Sequence, residues 1–246
     1  DFTYLTPDIA YHRDKFSRSD QLINVWGADH HGYIPRMKAA MEFLGNDPNA
    51  LEVIVTQLVS LERDGVELQM SGRLGDMVSL DEVVDEVGPD AARYTFLTQS
   101  MDTKQKVDLR ALAKKSMDNP VHYVQYATAR INQLANNAES AGRARATLFE
   151  ADLSLLIDGR ELEILRVLST FDEVVGSAAR ERAPHKITTW LREMAAAFHG
   201  FYHDCYVVGE GVSPELTQAR LWLIEAARIG LTTGLDLVGV SAPKEM

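Results

Sequence analysis

Apolar positions change rhythm along the chain. Up to about Ser60, short apolar runs alternate with stretches of helical periodicity; beyond Ser79, apolar positions recur mostly at steps of three and four. Thr6-Pro7-Asp8 predicts a helix start, with Thr6 as cap and Pro7 in the first turn, running towards Phe16. Leu22-Ile23-Asn24-Val25-Trp26 reads as a buried strand ended by Gly27. A helix follows from about Tyr33 to Leu44 and stops at Gly45-Asn46-Asp47-Pro48. Leu51 to Leu61 is a second β-rich run, and Asp64-Gly65 turns it back into Val66-Glu67-Leu68 as a hairpin. Strand, helix and strand in this order predict a parallel βαβ unit.

The remainder predicts a helix bundle. Ser79 caps a helix opening Leu80-Asp81-Glu82, Gly88-Pro89 breaks it, and Asp90 caps the next as far as about Gln99. A long helical region from Leu109 to Ala141 is interrupted at Asn119-Pro120, where proline removes a backbone donor. Ile187, Trp190, Leu191, Met194, Phe198, Phe201 and Cys205 form one stripe, the expected core face of a bundle helix. Ser213-Pro214-Glu215 opens a last helix through Ala226. The fold class is α/β plus all-α: a partial Rossmann-like parallel sheet, then an α-helical bundle.

Composition changes this picture little. The 246 residues are 46% hydrophobic and 25% charged, which excludes disordered and collagen-like chains. No apolar run reaches the roughly 18 residues of a membrane span, so no membrane partner is expected. The single Cys205 cannot form an internal disulfide and fits a reducing, cytoplasmic setting. Asp1 is not a start methionine, so a piece of a longer protein is expected. Net charge is −11, the wrong sign for a protein that simply coats nucleic acid. Charge is nevertheless segregated. Arg110, Lys114, Lys115, Arg130, Arg143 and Arg145 face only Asp118 and Glu139 between positions 110 and 145, a stripe open to a polyanion or simply solvated.

Three segments could carry chemistry. Trp26-Gly27-Ala28-Asp29-His30-His31-Gly32 lies where the first strand gives way to a helix, the edge at which open parallel sheets bind ligands. Its glycines allow close approach, Asp29 can accept hydroxyl or ammonium protons, and a structural turn is the plainer alternative. Adjacent histidines point apart on regular structure, so no metal is expected at His30 and His31. Tyr4 and Asp8 are four apart at a helix start, and a phenol beside a carboxylate fits a guanidinium; Asp8 as a simple helix-start acid is the alternative. Gln69-Met70-Ser71-Gly72-Arg73 is a polar loop whose Ser71, Arg73 and backbone amides could meet phosphates, or a plain surface loop.

The order of these segments resembles arginyl-tRNA synthetase, a class I aminoacyl-tRNA synthetase. The resemblance runs through Tyr4 to His12, Trp26 to Tyr33, Gln69 to Arg73, Asp90-Ala91-Ala92-Arg93, Asn119-Pro120-Val121-His122-Tyr123-Val124-Gln125-Tyr126-Ala127 and Val240 to Met246, and so covers the whole chain. It implies a ligase that activates L-arginine with ATP, accompanied by Mg2+ and with no tightly bound cofactor, and passes arginine to tRNA(Arg). By the same resemblance Tyr4, Asp8 and Asp29 line the arginine pocket, and Gly27 and His30 lie beside the adenosine. Gln69, Met70 and Ser71 meet ATP, with Ser71 and Arg73 as the catalytic groups of the loop. Tyr126 and Met246 meet the tRNA anticodon loop, and Arg130 nearby could hold phosphate.

Residues 1–107 would then be the second half of the catalytic domain, and 108–246 the anticodon-binding domain of a monomeric parent. Departures are visible. Gln69 and Gly72 stand where the family's Lys-Met-Ser-Lys-Ser loop has lysines, and Pro7 where it has a base. The upstream His-Ile-Gly-His signature is absent, so the chain alone is expected not to form adenylate. A non-catalytic RNA-binding or scaffold module derived from a synthetase is the alternative.

Overall fold

The computed structural model of the chain describes residues 4–68 and 78–246. It divides into two compact units, Asp1–Ser60 with Met101–Lys106, and Leu61–Ser100 with Val107–Met246.

In the first unit, helix α1 (Leu5–Phe16) is followed by strand β1 (Leu22–Gly27), a 3-10 turn over Ala28–Tyr33, helix α2 (Ile34–Phe43) and strand β2 (Leu51–Thr56). β1 and β2 pair in parallel, from Leu22 opposite Leu51 to Gly27 opposite Thr56, as the βαβ pattern requires. Met37 and Met41 of α2, four apart and fully buried, close over Leu22 and Leu51. The opposite face of β1 is open: Ile23 and Val25 are 48% and 60% exposed. Parallel sheets are ordinarily covered on both faces, so this face is unusual in lying open.

α1 starts one residue before Thr6, at Leu5, with Tyr4 at the cap position and no side-chain cap. Thr6 therefore lies inside the helix rather than capping it. What holds α1 down is a buried relay. Lys15 Nζ donates to Asn24 Oδ1 (3.1 Å), Asn24 Nδ2 meets His12 Nε2 (2.6 Å), and His12 Nδ1 meets the Asp8 carbonyl (2.7 Å). A carbonyl can only accept, so Nδ1 carries the imidazole proton and Nε2 receives the amide.

The expected single β run 51–61 is two strands. β3 (Val59–Arg63) follows β2 after Gln57-Leu58, and the Asp64-Gly65 turn, positive in φ at both residues, returns it antiparallel into β4 (Val66–Glu67). A further strand that helical periodicity concealed, β5 (Gln105–Asp108), completes a sheet of order β4-β3-β5.

The second unit is mostly helical: α3 (Leu80–Val87), α4 (Pro89–Phe96), α5 (Leu109–Ala113), α6 (Pro120–Ser140), α7 (Gly159–Ser169), α8 (Phe171–Glu181), α9 (His185–Asp204) and α10 (Pro214–Leu237). Ser79 and Glu82 form a reciprocal capping box on α3, and Asn119 caps α6 ahead of Pro120. Asp90 caps nothing. Gly88 is the cap of α4, Asp90 sits in its first turn, and its carboxylate is engaged elsewhere.

α9 is the centre of the bundle, packed by α6, α7, α8 and α10. Its stripe is buried as the periodicity predicts: Leu191, Met194, Phe198 and Phe201 have no exposed surface, and the Trp190 indole donates to Val167 O (2.9 Å). Cys205 closes α9, and burial pushes its thiol up to about 11. Among these apolar groups sits a charge. Glu161 is fully buried; its Oε1 accepts from Arg220 Nε (2.6 Å) and its Oε2 from the Asp158 N–H that opens α7 (2.8 Å).

A second ionic cluster ties the chain after α6 to α10. Glu225 accepts from Arg228 Nε and Nη2 (2.8 and 2.7 Å) and pairs with Arg145 (2.9 Å), whose guanidinium also lies over Trp222. The Arg228 hydrogen bonds, and then Arg145, hold the Glu225 carboxyl down at about 2 against the opposing cost of burial. Because this is below the unfolded value near 4.5, the stabilisation is complete above about pH 5 and is lost as pH falls towards 2. Urea midpoints measured between pH 6 and pH 3 should fall, and Glu225→Gln should flatten that decline; an equal decline in the variant would refute the assignment.

Candidate functional site

Each unit presents one site. In the first, the Asp8 carboxylate of α1 accepts from the Tyr33 phenol (3.3 Å), which stands at the end of the turn that follows β1. Burial, and then the neighbouring Asp8, push the Tyr33 phenol up. Tyr33 also packs against Trp26, ring centroids 5.8 Å apart, so the strand end, the turn and α1 are held in register.

Tyr4 lies one helical turn before Asp8, its carbonyl accepting the Asp8 N–H (3.2 Å), and the residue is 83% exposed. Asp29 is exposed and pairs with His30 (3.4 Å). Gly27 leaves room for that position: a Cβ there would stand 2.6 Å from Asp29 Oδ1, and the exposed carboxylate would have to swing aside. The structure thus brings Asp8 against the turn that carries Asp29 and His30, with Tyr4 at the open end of α1. The result is a polar, carboxylate-bearing ledge of the kind that receives a cationic group. Gln69, Met70, Ser71 and Arg73 lie outside the described residues. Among the described residues no three His, Cys, Asp or Glu side chains converge to hold a metal ion.

In the second unit, Tyr126, Arg130 and Met246 line one cleft of about 480 Å³, together with Gln133, Asn136 and Tyr202 among others. Arg130 is its centrepiece. The guanidinium carbon lies 4.7 Å from the Tyr126 ring centre and 4.5 Å from that of Tyr202, sandwiched between them. Arg130 Nε donates to Tyr126 Oη (2.7 Å), and its Nη1 donates to Tyr202 Oη. The hydrogen bond to Tyr126 raises the guanidinium's affinity for its proton.

Behind this sandwich an aromatic ladder continues. His122 stacks on Tyr126 at an interplanar angle of 15°, and His199 packs against both Tyr126 and Tyr123. Burial lowers the pKa of both imidazoles, helped at His122 by Lys115 and at His199 by Arg130. Neutral rings in this position offer π surface rather than charge. A cation between two phenols, backed by neutral rings and rimmed by the primary amides of Gln133 and Asn136, suits unstacked nucleobases.

Sequence reasoning missed Tyr202 and Tyr33. Tyr202 directly follows Phe201 but falls outside the register of the α9 core stripe, and an aromatic residue off the apolar face was the available signal. Tyr33 closes the Trp26–Tyr33 segment, and only its contact with Asp8, 25 positions away, shows its part.

The bundle places the chain in a class. Residues 124–246, half of its length, match the model of the DALR anticodon binding domain, and the chain belongs to that family. Over its whole length it is similar to arginine–tRNA ligases. It is 49% identical to that of Listeria welshimeri and 47% identical to that of Bacillus cereus. In both cases all of this chain aligns with 44% of the relative, so it spans less than half the length of these curated relatives. A crystal structure of an arginyl-tRNA synthetase from Campylobacter jejuni superposes with a TM-score of 0.86 at 40% identity, covering all of this chain and 53% of that one. The arginyl-tRNA synthetase of Thermus thermophilus shares the fold, with a TM-score of 0.76 over 93% of this chain and 42% of that one at 22% identity.

Proposed function

We propose that the chain supplies the anticodon-binding bundle and one wall of the arginine site of an arginine–tRNA ligase acting in the cytoplasm. Its parent reaction joins L-arginine to ATP, taken as the magnesium complex, and then passes arginine to tRNA(Arg). The observation that carries this reading is the convergence of Tyr126, Arg130 and Met246 on one cleft inside the family-matched residues.

In the first unit, Tyr4 and Asp8 would receive the guanidinium, with Asp29 beside the amino acid and Gly27 and His30 beside the adenosine. Gln69 to Arg73 would close over the phosphates, with Ser71 and Arg73 stabilising the departing pyrophosphate. The functional boundary falls between residues 107 and 108, and the parent acts as a monomer. Because the β1 face bearing Ile23 and Val25 is open, the first unit needs a further layer before it can activate arginine.

Titration of the chain with a tRNA(Arg) transcript and with an unrelated tRNA tests the bundle. Preference for the cognate RNA at 50 mM salt is expected, weakening towards 200 mM with the shallow slope of a few phosphate contacts. Equal affinity for both RNAs would sink the reading. Arginine-dependent exchange of pyrophosphate into ATP should be absent from the chain alone, and turnover there would show that no further layer is needed. The replacement of both loop lysines by Gln69 and Gly72 favours, as a second reading, a non-catalytic RNA-binding module. Arginine binding at Asp8, abolished by Asp8→Asn, would decide for the ligase.

A further inference from the structure

The cleft around Arg130 has a wall that belongs to no helix. α10 ends at Leu237, and Gly239, with φ +67°, reverses the chain: its N–H reaches Asp236 O and that of Val240 reaches Leu235 O (both 2.9 Å). Val240 is buried in the bundle, and the segment 241–246 then runs as a strap along α6. Gln125 Nε2 donates to Ser241 O (2.9 Å), the Thr128 hydroxyl reaches Pro243 O (3.2 Å), and Asn132 Nδ2 reaches Lys244 O (3.5 Å). Positions 125, 128 and 132 share one face of a helix, so three side chains on one line hold three successive stations of the strap. Only then do Lys244, Glu245 and Met246 stand opposite Tyr126 and Arg130.

The head of the strap is fixed from a different helix. The Asp90 carboxylate of α4 accepts from the Ser241 N–H (3.2 Å), the Ser241 hydroxyl and Gln125 Nε2 (2.8 Å). It is the one ionised group in this chain of contacts, and hydrogen bonds to a charge are about twice as strong as neutral ones. The strap's other bonds come from amides and a hydroxyl, three of them at or beyond 3.2 Å.

We propose that Asp90 is a positioning residue for RNA recognition: from outside the cleft it anchors the strap whose last three residues complete the base-binding wall. The proposal rests on the reading of the cleft as an RNA site. Asp90 touches no RNA in this arrangement and acts only through Ser241 and Gln125.

A double-mutant cycle tests it. In the full chain, Asp90→Ala should weaken binding of a fluorescent tRNA(Arg) transcript about tenfold, with Asp90→Asn intermediate because it keeps an acceptor for the Ser241 N–H. In a chain shortened to end at Val240, already weakened, Asp90→Ala should add less than a twofold change. The methyl resonance of 13C-labelled Met246 should sharpen in full-length Asp90→Ala while the core methyls stay in place. Should that variant fold poorly, Ser241→Ala, which removes the hydroxyl bond to Asp90 and leaves the N–H bond, is expected to move affinity and the Met246 signal in the same direction by a smaller amount.

An equal loss in the full and shortened chains would assign Asp90 to ordinary packing of α4 on α6 and overturn the proposal. So would an affinity within twofold of the unmodified chain. If Arg130→Ala abolishes binding while Asp90→Ala does not alter it, only this proposal falls. If the unmodified chain ignores the transcript, the reading of the cleft falls and takes the proposal with it.

Discussion

Glu161→Ala is expected to destabilise the protein by about 3–5 kcal/mol, a large share of the total for a single domain. The carboxylate has no exposed surface, and its partner Arg220 keeps only 11% of its side-chain surface in contact with water. Removing the carboxylate leaves a guanidinium largely out of water, with the Tyr206 carbonyl (2.5 Å) as its remaining partner, and opens the capping bond to Asp158 N. Glu161→Gln preserves the shape and the capping acceptor, so its cost should be smaller.

The decisive comparison is Glu161→Leu combined with Arg220→Met. With both charges gone, no ion is stranded, and the double variant should regain more than half of the stability lost by Glu161→Ala. Urea denaturation of the four proteins measures this directly. A double variant no more stable than Glu161→Ala would mean that packing around α7, rather than the stranded charge, sets the cost.

Arg130→Ala should lower affinity for the tRNA(Arg) transcript by about 1–3 kcal/mol, roughly five- to more than a hundredfold, and reduce the salt slope by about one contact. The guanidinium joins two roles: it carries positive charge against both aromatic faces, and it ties Tyr126 and Tyr202 together through hydrogen bonds to their hydroxyls. Arg130→Lys separates them. Lysine keeps the positive charge but has no planar group to lie between rings, so the salt slope should persist while affinity drops. Fluorescence anisotropy across 50–200 mM salt reads both quantities. Unchanged affinity for Arg130→Ala would remove the cleft from RNA recognition.

Local chemistry was legible in the sequence. The Asp64-Gly65 hairpin, the Ser79 cap and the break at Asn119-Pro120 are specified by neighbours within four residues, and the structure has each of them. Likewise the α9 stripe, because burial follows a period that the sequence displays openly. What stayed hidden depends on distant partners. β5 is a strand only because β3 lies beside it, and four residues next to a helix carry no signal of their own. Asp90 reads as a helix cap from its neighbours, yet its bonds go to Gln125 and Ser241, 35 and 151 positions away. For the cleft, Tyr126 and Met246 could be named from resemblance, and Arg130 as the base one helical turn from Tyr126. Tyr202, which completes the sandwich, could not be placed until α9 was seen to cross behind α6.

A single sulfhydryl, closed off at the end of α9, makes the folded bundle its own stopwatch. With its proton held up to about pH 11, Cys205 has almost no nucleophilic form at neutrality, and its burial excludes reagents as well. Maleimide can consume the chain only as fast as the packing around the end of α9 opens. Labelling rate therefore registers the lifetime of the closed state, with no probe introduced and no competing thiol elsewhere in the sequence to subtract.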